Sequence, residues 1–330
     1  MCVSAAHAPV APEDALDVRF PPAMALVGDG LAVLWRDRDR ALRLQRYAAD
    51  LRPSTEPRTL AQPVDVFAFA PAAAGAVAVW VEEEREVVLG RFGSSLEAQN
   101  VPRVLAAANG PVTAVAVQAT ATGLLVAWST AAGVYRVATT ATGVPRAAPA
   151  PLLGGFVAGA LSFDGAEPAG LRAEAAPRGA DAWVFTLRGD GAEEGRARWP
   201  SSVSGPVRVD GQSMGGQVTA QGAPALLRAP VEAPPTLLAD PSVAPRARID
   251  GLAADGDLCV ATVVDVASGR ASLARLLADG SAAWLGPLRG LLSGPTTMAA
   301  RAPGTVWMLS REPSHTGPHD VVTRYACAVP

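Results

Sequence analysis

Lysine is absent from this 330-residue chain, so all 28 of its basic residues are arginine. Together with abundant alanine, glycine and proline, that absence reads as a high-GC coding bias and selects no function. The net charge is −3, which removes any overall electrostatic case for binding nucleic acid. No stretch reaches the roughly 18 apolar residues of a membrane-spanning helix, and no apolar signal-peptide core opens the chain. Cysteine is scarce: Cys2, Cys259 and Cys327 are too few and too scattered for a disulfide framework or a zinc site. Cys259, inside the apolar run "DLCVATVV", reads as a small core residue. Three histidines leave little for a His-based triad or a multi-His metal centre. Phosphate loops, nucleophile elbows, zinc motifs and EF-hand loops are also missing. No cofactor is implied.

What is present is a globular composition, with 49% hydrophobic and 18% charged residues. Within it lies a repeat. "GLAVLW" from Gly30, "GAVAVW" from Gly75 and "GLLVAW" from Gly123 each place a tryptophan five residues after a glycine. Weaker copies begin at Gly170, Gly216, Gly256 and Gly304, at intervals of 45, 48, 47, 46, 40 and 48 residues along the series. Around each glycine the same grammar recurs. The first unit holds "AMALVGD", "GLAVLW", "ALRLQRY" and a weak "PRTLA", short Val- and Leu-rich runs cut by Gly, Pro and Asp. Such runs are strand signals, and none keeps helical apolar spacing over ten or more residues.

Four short strands per repeat, in tandem, predict an all-β fold: a seven-bladed β-propeller of four-stranded antiparallel blades. Six or eight blades would require one miscounted weak unit. The seventh unit ends without a fourth strand, and "LDVRFPP" at 16–22 is expected to supply it, closing the ring with an N-terminal strand. The expected organisation is a flexible tail over 1–14 and a single domain over 15–330. Cys2, followed by "VSAAHAPVAPEDA", is a lipidation candidate as the first residue of a mature bacterial lipoprotein; an ordinary cytoplasmic start with a frayed tail is the alternative.

Units such as "DGLAVLWRDRDRALRLQRYAAD" and "DGDLCVATVVDVASGRASLARLLADG" resemble the repeats of secreted or lipoprotein β-propellers of high-GC bacteria. The resemblance covers most of the chain and implies a fold and an extracytoplasmic location, with no catalytic residues attached. The Gly-His and Trp-Asp pairing of WD40 repeats and the sialidase Asp box are both missing.

Propellers bind ligands through the loops joining strands two and three of a blade and those joining one blade to the next. On the repeat alignment, the second-to-third-strand loops carry the charge runs. Arg36, Asp37, Arg38, Asp39 and Arg40 form one. Glu82, Glu83 and Glu84 belong to another, Asp265 to a third, and Arg311, Glu312, His315, His319 and Asp320 to the last. Blades one, two and seven are expected to make a mixed-charge sector on one face. "DRDR" lacks the Gly and distal Glu of a calcium loop, so mutual charge pairing is its simpler reading. "SHTGPHD" is the single local cluster of metal-competent side chains, and Gly317 and Pro318 make it a polar turn. Trp35, Trp80, Trp128 and Trp307 are expected to pack between blades.

These features support a non-enzymatic scaffold, exported or surface-anchored, that holds a protein or glycan on the loop face. The chain is expected to be monomeric, with no nucleic-acid partner. A hydrolase or lyase with its site at the channel mouth is a second hypothesis. A lectin is a third, disfavoured by 5% aromatics and two asparagines, Asn100 and Asn109.

Overall fold

The computed structural model describes residues 2–10, 17, 20–164, 168–175, 182–199, 204–209, 212–218, 224–228, 236–237, 247–255, 258–265, 268, 270–276, 282–291, 297–312 and 319–328. The chain divides into two compact units, Ala15–Ser201 and the pair of segments Met1–Asp14 and Ser202–Pro330. Strand β1 (Cys2–Pro9) belongs to the second of these.

In Ala15–Ser201, β2 (Ala23–Val27), β3 (Gly30–Arg36), β4 (Leu42–Tyr47) and β5 (Arg58–Ala61) form one antiparallel meander. The next is β6 (Phe67–Ala72), β7 (Gly75–Glu82), β8 (Glu86–Gly93) and β9 (Arg103–Ala107). A third is β10 (Ala114–Thr120), β11 (Gly123–Thr130), β12 (Gly133–Thr139) and β13 (Ala150–Gly154). The fourth is β14 (Ala158–Phe163), β15 (Ala169–Ala175), β16 (Ala182–Leu187) and β17 (Glu193–Trp199).

The second strand of each of the first three sheets, β3, β7 and β11, is apolar almost throughout and almost wholly buried. A strand with only one face covered would alternate apolar and polar residues; continuous apolarity marks packing on both faces. The core accordingly lies between consecutive sheets. Leu34, Leu44, Ala78 and Trp80 join the first sheet to the second. Val79, Leu89, Val126 and Trp128 join the second to the third, and Leu125, Ala127, Leu171 and Phe185 the third to the fourth. Trp35, Trp80 and Trp128 are all buried here, as inter-sheet packing requires.

The repeat glycine has a steric cause. A Cβ built on Gly30, Gly75 or Gly123 would overlap the carbonyl oxygen of Tyr47, Phe92 or Thr139 respectively, at the far end of the third strand. Any side chain there would push the second and third strands apart. Gly75→Ala is therefore expected to destabilise the Ala15–Ser201 unit by ~1–3 kcal/mol, read as a lower urea midpoint. An unchanged midpoint would remove this explanation of the repeat.

In the other unit, β18 (Ser204–Val209), β19 (Gln212–Val218), β20 (Pro224–Arg228) and β21 (Thr236–Leu237) form a meander. They are followed by a meander of β22 (Ala247–Asp255), β23 (Leu258–Asp265), β24 (Arg270–Leu276) and β25 (Ala282–Leu291). The last sheet holds β26 (Thr297–Arg301), β27 (Thr305–Glu312) and β28 (His319–Cys327), and β1 completes it in the order β1-β28-β27-β26. Val260, Leu273, Leu285, Val306, Met308 and Tyr325 pack between these last two sheets.

Three sequence expectations need correction here. The strand that completes the last sheet is Cys2–Pro9, and none of the described residues within 16–22 lies in a strand. Residues 2–9 are thus part of the sheet rather than of a flexible tail. Cys2 stands opposite Cys327 in the β1–β28 register, and the two form a disulfide across a sequence separation of 325 residues. A sulfur held in a disulfide cannot also carry a thioether-linked lipid, so the pairing replaces lipidation at Cys2. Cys259 is buried in β23 as expected, and burial pushes its thiol pKa up to about 12.

Candidate functional site

In the first three sheets of Ala15–Ser201 the hairpins between second and third strands are tied by backbone hydrogen bonds to the segments that lead into the next sheet. Val64 N–H donates to the Arg40 carbonyl at 2.9 Å, Val112 N–H to that of Glu84 at 2.8 Å, and Gly155 N–H to that of Ala132 at 2.9 Å. Both kinds of loop therefore share one face in this unit, and each tip is braced from behind.

The charged residues on this face divide into two groups. Arg36 and Asp37 are structural. Arg36 is 4% exposed, and its guanidinium donates to the Asp17 carboxylate at 2.6 Å and to the carbonyls of Val64 and Asp65 at 2.9 and 2.8 Å. The Phe20 ring lies 3.4 Å from its Cζ. Asp37 closes its own hairpin: its carboxylate accepts from Ala41 N–H at 2.8 Å and Arg43 Nε at 3.0 Å. Neither residue presents a free charge to a partner, which corrects their assignment as ligand-binding residues. In place of the mutual charge pairing expected within the run, these charges pair with partners outside it.

Arg38, Asp39 and Arg40 are exposed. Arg40 pairs with Asp65, whose second carboxylate oxygen accepts from Glu84 N–H at 2.8 Å. That bridge brings the Arg38–Arg40 tip and the Glu83–Glu84 tip together. Glu82 is drawn back instead, accepting from the Trp80 indole N–H at 2.7 Å.

Glu83 and Glu84 have φ of 50° and 63°, and Arg85 N–H donates to the Glu82 carbonyl at 3.1 Å. This is the pattern of a type I′ turn, which Asn-Gly or Asp-Gly normally fills. Glutamate in the left-handed region costs roughly 1–2 kcal/mol. Two successive glutamates held there on an exposed tip are a local strain of the kind that concentrates at functional sites. The run "EEERE" announced the charge but not the strain; the missing Gly in so short a hairpin was the available signal.

The remaining candidates lie in the other unit. Arg311 and Asp320 face each other across β27 and β28 in a bidentate ion pair with both contacts at 2.9 Å, and Glu312 faces His319 in the same ladder. Asp265 accepts from the Ser268 hydroxyl at 2.6 Å. His315 lies outside the described residues. Among the described residues no group of three or more His, Cys, Asp or Glu side chains gathers as a metal site would, and no helix is long and apolar enough to cross a membrane.

No protein-family model and no curated protein matches the chain by sequence. Solved structures do match in three dimensions. BBS1N in complex with ARL6DN, in a lead-soaked crystal, aligns over 99% of this chain and 97% of that one, with a TM-score of 0.57 and 11% identity. A mercury-soaked crystal of the same complex gives 0.59 and 12% over the same shares. The chain is similar in fold to a β-propeller. Raptor from Chaetomium thermophilum aligns over 99% of this chain but 29% of its own, with a TM-score of 0.53 and 11% identity. At these identities the likeness concerns the propeller-like fold alone.

Proposed function

We propose that this protein is a non-enzymatic binding propeller that holds a protein partner on the face bearing the Arg38–Arg40 and Glu83–Glu84 tips. The observation that carries the reading is the strained, braced Glu83–Glu84 turn. A tip that served only to reverse the chain would favour an unstrained turn, whereas a tip that meets a partner has a reason to keep glutamate. The neighbouring fold of BBS1N, crystallised in complex with ARL6DN, supports a protein as the class of partner. In this reading the four-stranded sheets are the blades of a seven-bladed propeller, with β1 completing the last one. The propeller is exported, a location that the Cys2–Cys327 disulfide favours, since such bonds persist in oxidising compartments.

Two variants test the reading together. Glu83→Asn/Glu84→Gly installs the turn's preferred residues and is expected to raise stability by about 1–2 kcal/mol while abolishing partner capture from envelope and secreted fractions of the source cell. Arg38→Glu should also abolish capture of the same band, with the melting temperature unchanged. Arg52→Glu, exposed and away from these tips, is the control. Retained capture by both tip variants would overturn the proposal.

A further inference from the structure

Beside the acidic tip the structure holds a cavity of about 170 Å³ lined by Ala106, Ala107, Ala108, Asn109, Trp128, Thr130, Tyr135 and Pro149. Trp128 and Tyr135 are direct cross-strand partners in β11 and β12, their rings 6.0 Å apart and inclined by 16°. The buried Trp128 and Thr130 underlie the cavity, while half-buried Tyr135 and exposed Asn109 and Pro149 border its mouth. Among the described residues no charged side chain lines it.

Comparison with the preceding sheet shows what this cavity lacks. Trp80, at the repeat position equivalent to Trp128, gives its indole N–H to Glu82 two residues later. The residue two after Trp128 is Thr130, whose hydroxyl oxygen already accepts from Ala132 N–H at 3.1 Å. Among the described residues no hydrogen bond engages the Trp128 indole N–H, the Tyr135 hydroxyl or the Asn109 amide. The cavity thus combines an aromatic wall with neutral hydrogen-bonding groups that the protein itself leaves unused. Its location adds the charge: Ala108 N–H donates to the Arg85 carbonyl at 2.9 Å, so the wall is joined to a turn, residues 82–86, that carries four glutamates and one arginine.

We infer that the Trp128–Tyr135 cavity is a docking site for an extended peptide segment in which a proline lies next to arginine or lysine. A pyrrolidine ring is compact, apolar and small enough for the space, and Pro149 already places one at its mouth. Extended proline-bearing segments dock in aromatic-lined grooves because their conformation is largely pre-formed and their carbonyls accept hydrogen bonds from the groove. The indole and phenol supply those donors here. The neighbouring Glu83 and Glu84 select a cationic flank. This inference rests on the proposed protein-binding function and names the chemistry of its partner.

The test uses the full chain and three fluorescein-labelled decapeptides: one alternating proline and arginine, one with every proline replaced by alanine, and one with every arginine replaced by glutamate. Fluorescence anisotropy should show saturable binding of the first and at least about tenfold weaker binding of the other two. Tyr135→Ala and Asn109→Ala should each weaken the first peptide about tenfold, with melting curves confirming that the fold is intact. Tyr135→Phe, which keeps the ring, should retain most of the binding. Equal affinity for the proline-free peptide, or full binding by Tyr135→Ala, overturns the site. Loss of binding in Glu83→Arg/Glu84→Arg but not in Tyr135→Ala would leave the acidic-face function standing and remove the cavity from it. Absence of saturable binding by the first peptide, beside tip-dependent capture of a cellular protein, would likewise reject only the cavity.

Discussion

Asp17→Ala is expected to destabilise the Ala15–Ser201 unit by about 3–5 kcal/mol, the cost of stranding one member of a buried ion pair. Asp17 and Arg36 are 6% and 4% exposed, so water cannot replace the lost carboxylate. Arg36 also anchors the Val64 and Asp65 carbonyls and lies against Phe20, which makes it the post to which two separate segments are fixed. Arg36→Met should cost a comparable amount because Asp17 is then left buried without its partner. Asp17→Leu/Arg36→Met should recover much of either loss, since exchanging a buried pair for apolar residues of similar volume is often neutral or better. Urea unfolding of the single and double variants forms a thermodynamic cycle. A pair worth less than about 1 kcal/mol, as surface pairs are, would refute the anchoring role.

Arg36 separates the contacts that a local sequence pattern encodes from those that it does not. Strand periodicity and the Gly-to-Trp repeat are local properties, and they placed β2–β5 and the hairpins that join them. The exposed tips Arg38, Glu83 and Glu84 were legible for the same reason, because a polar run between two apolar strands has nowhere to go but solvent. Arg36 belongs to the same run, yet it is the last residue of β3, and its partners Asp17 and Phe20 come from a segment with no periodicity. Its burial depends on contacts 19 residues away in sequence, which no local pattern encodes.

A second device escaped for a different reason. Within Ala15–Ser201 the third-to-fourth-strand connections use one turn, in which Leu51, Leu96, Gly143 and Gly191 donate their N–H groups to the carbonyls of Ala48, Gly93, Thr140 and Arg188. Each of these donors has positive φ, from 64° at Leu51 to 84° at Gly191. In the third and fourth sheets a glycine marks the position, as such a conformation leads one to expect. In the first two a leucine occupies it and is buried, 2% and 6% exposed. Burial of an apolar side chain there offsets the cost of the left-handed backbone, and the usual turn signal disappears from the sequence. The Trp128–Tyr135 cavity was hidden similarly. Both residues read as strand aromatics, and only the change from Glu82 to Thr130 at the equivalent position separates a capped indole from an open one.

Reduction of the Cys2–Cys327 disulfide is expected to produce the largest loss of stability, ~5 kcal/mol for the segments Met1–Asp14 and Ser202–Pro330 on a chain-entropy basis. The bond closes a sequence separation of 325 residues, so the unfolded chain gains far more freedom from its cleavage than from cleavage of a short loop. In the native state the effect is local. Strand β1 is an edge strand whose residues alternate between half-buried and exposed, too little apolar contact to hold it firmly once the covalent link is gone. Its departure would uncover the hydrogen-bonding edge of β28, a template for pairing with another chain. Reduced protein and Cys2→Ser should therefore unfold at lower urea concentration, with protection of the β28 amides from hydrogen exchange lost first, and should form dimers at high concentration. Thiol titration provides the control. The folded oxidised protein should show no reactive thiol, because Cys259 is buried with its pKa raised to about 12; denaturation should expose one, and reduction in denaturant three. Were Cys2 lipidated instead, unreduced denatured protein would show two thiols, Cys259 and Cys327, and reduction would change nothing. The same titration thus decides between a covalently clasped sheet and a membrane tether, two uses of one sulfur that exclude each other.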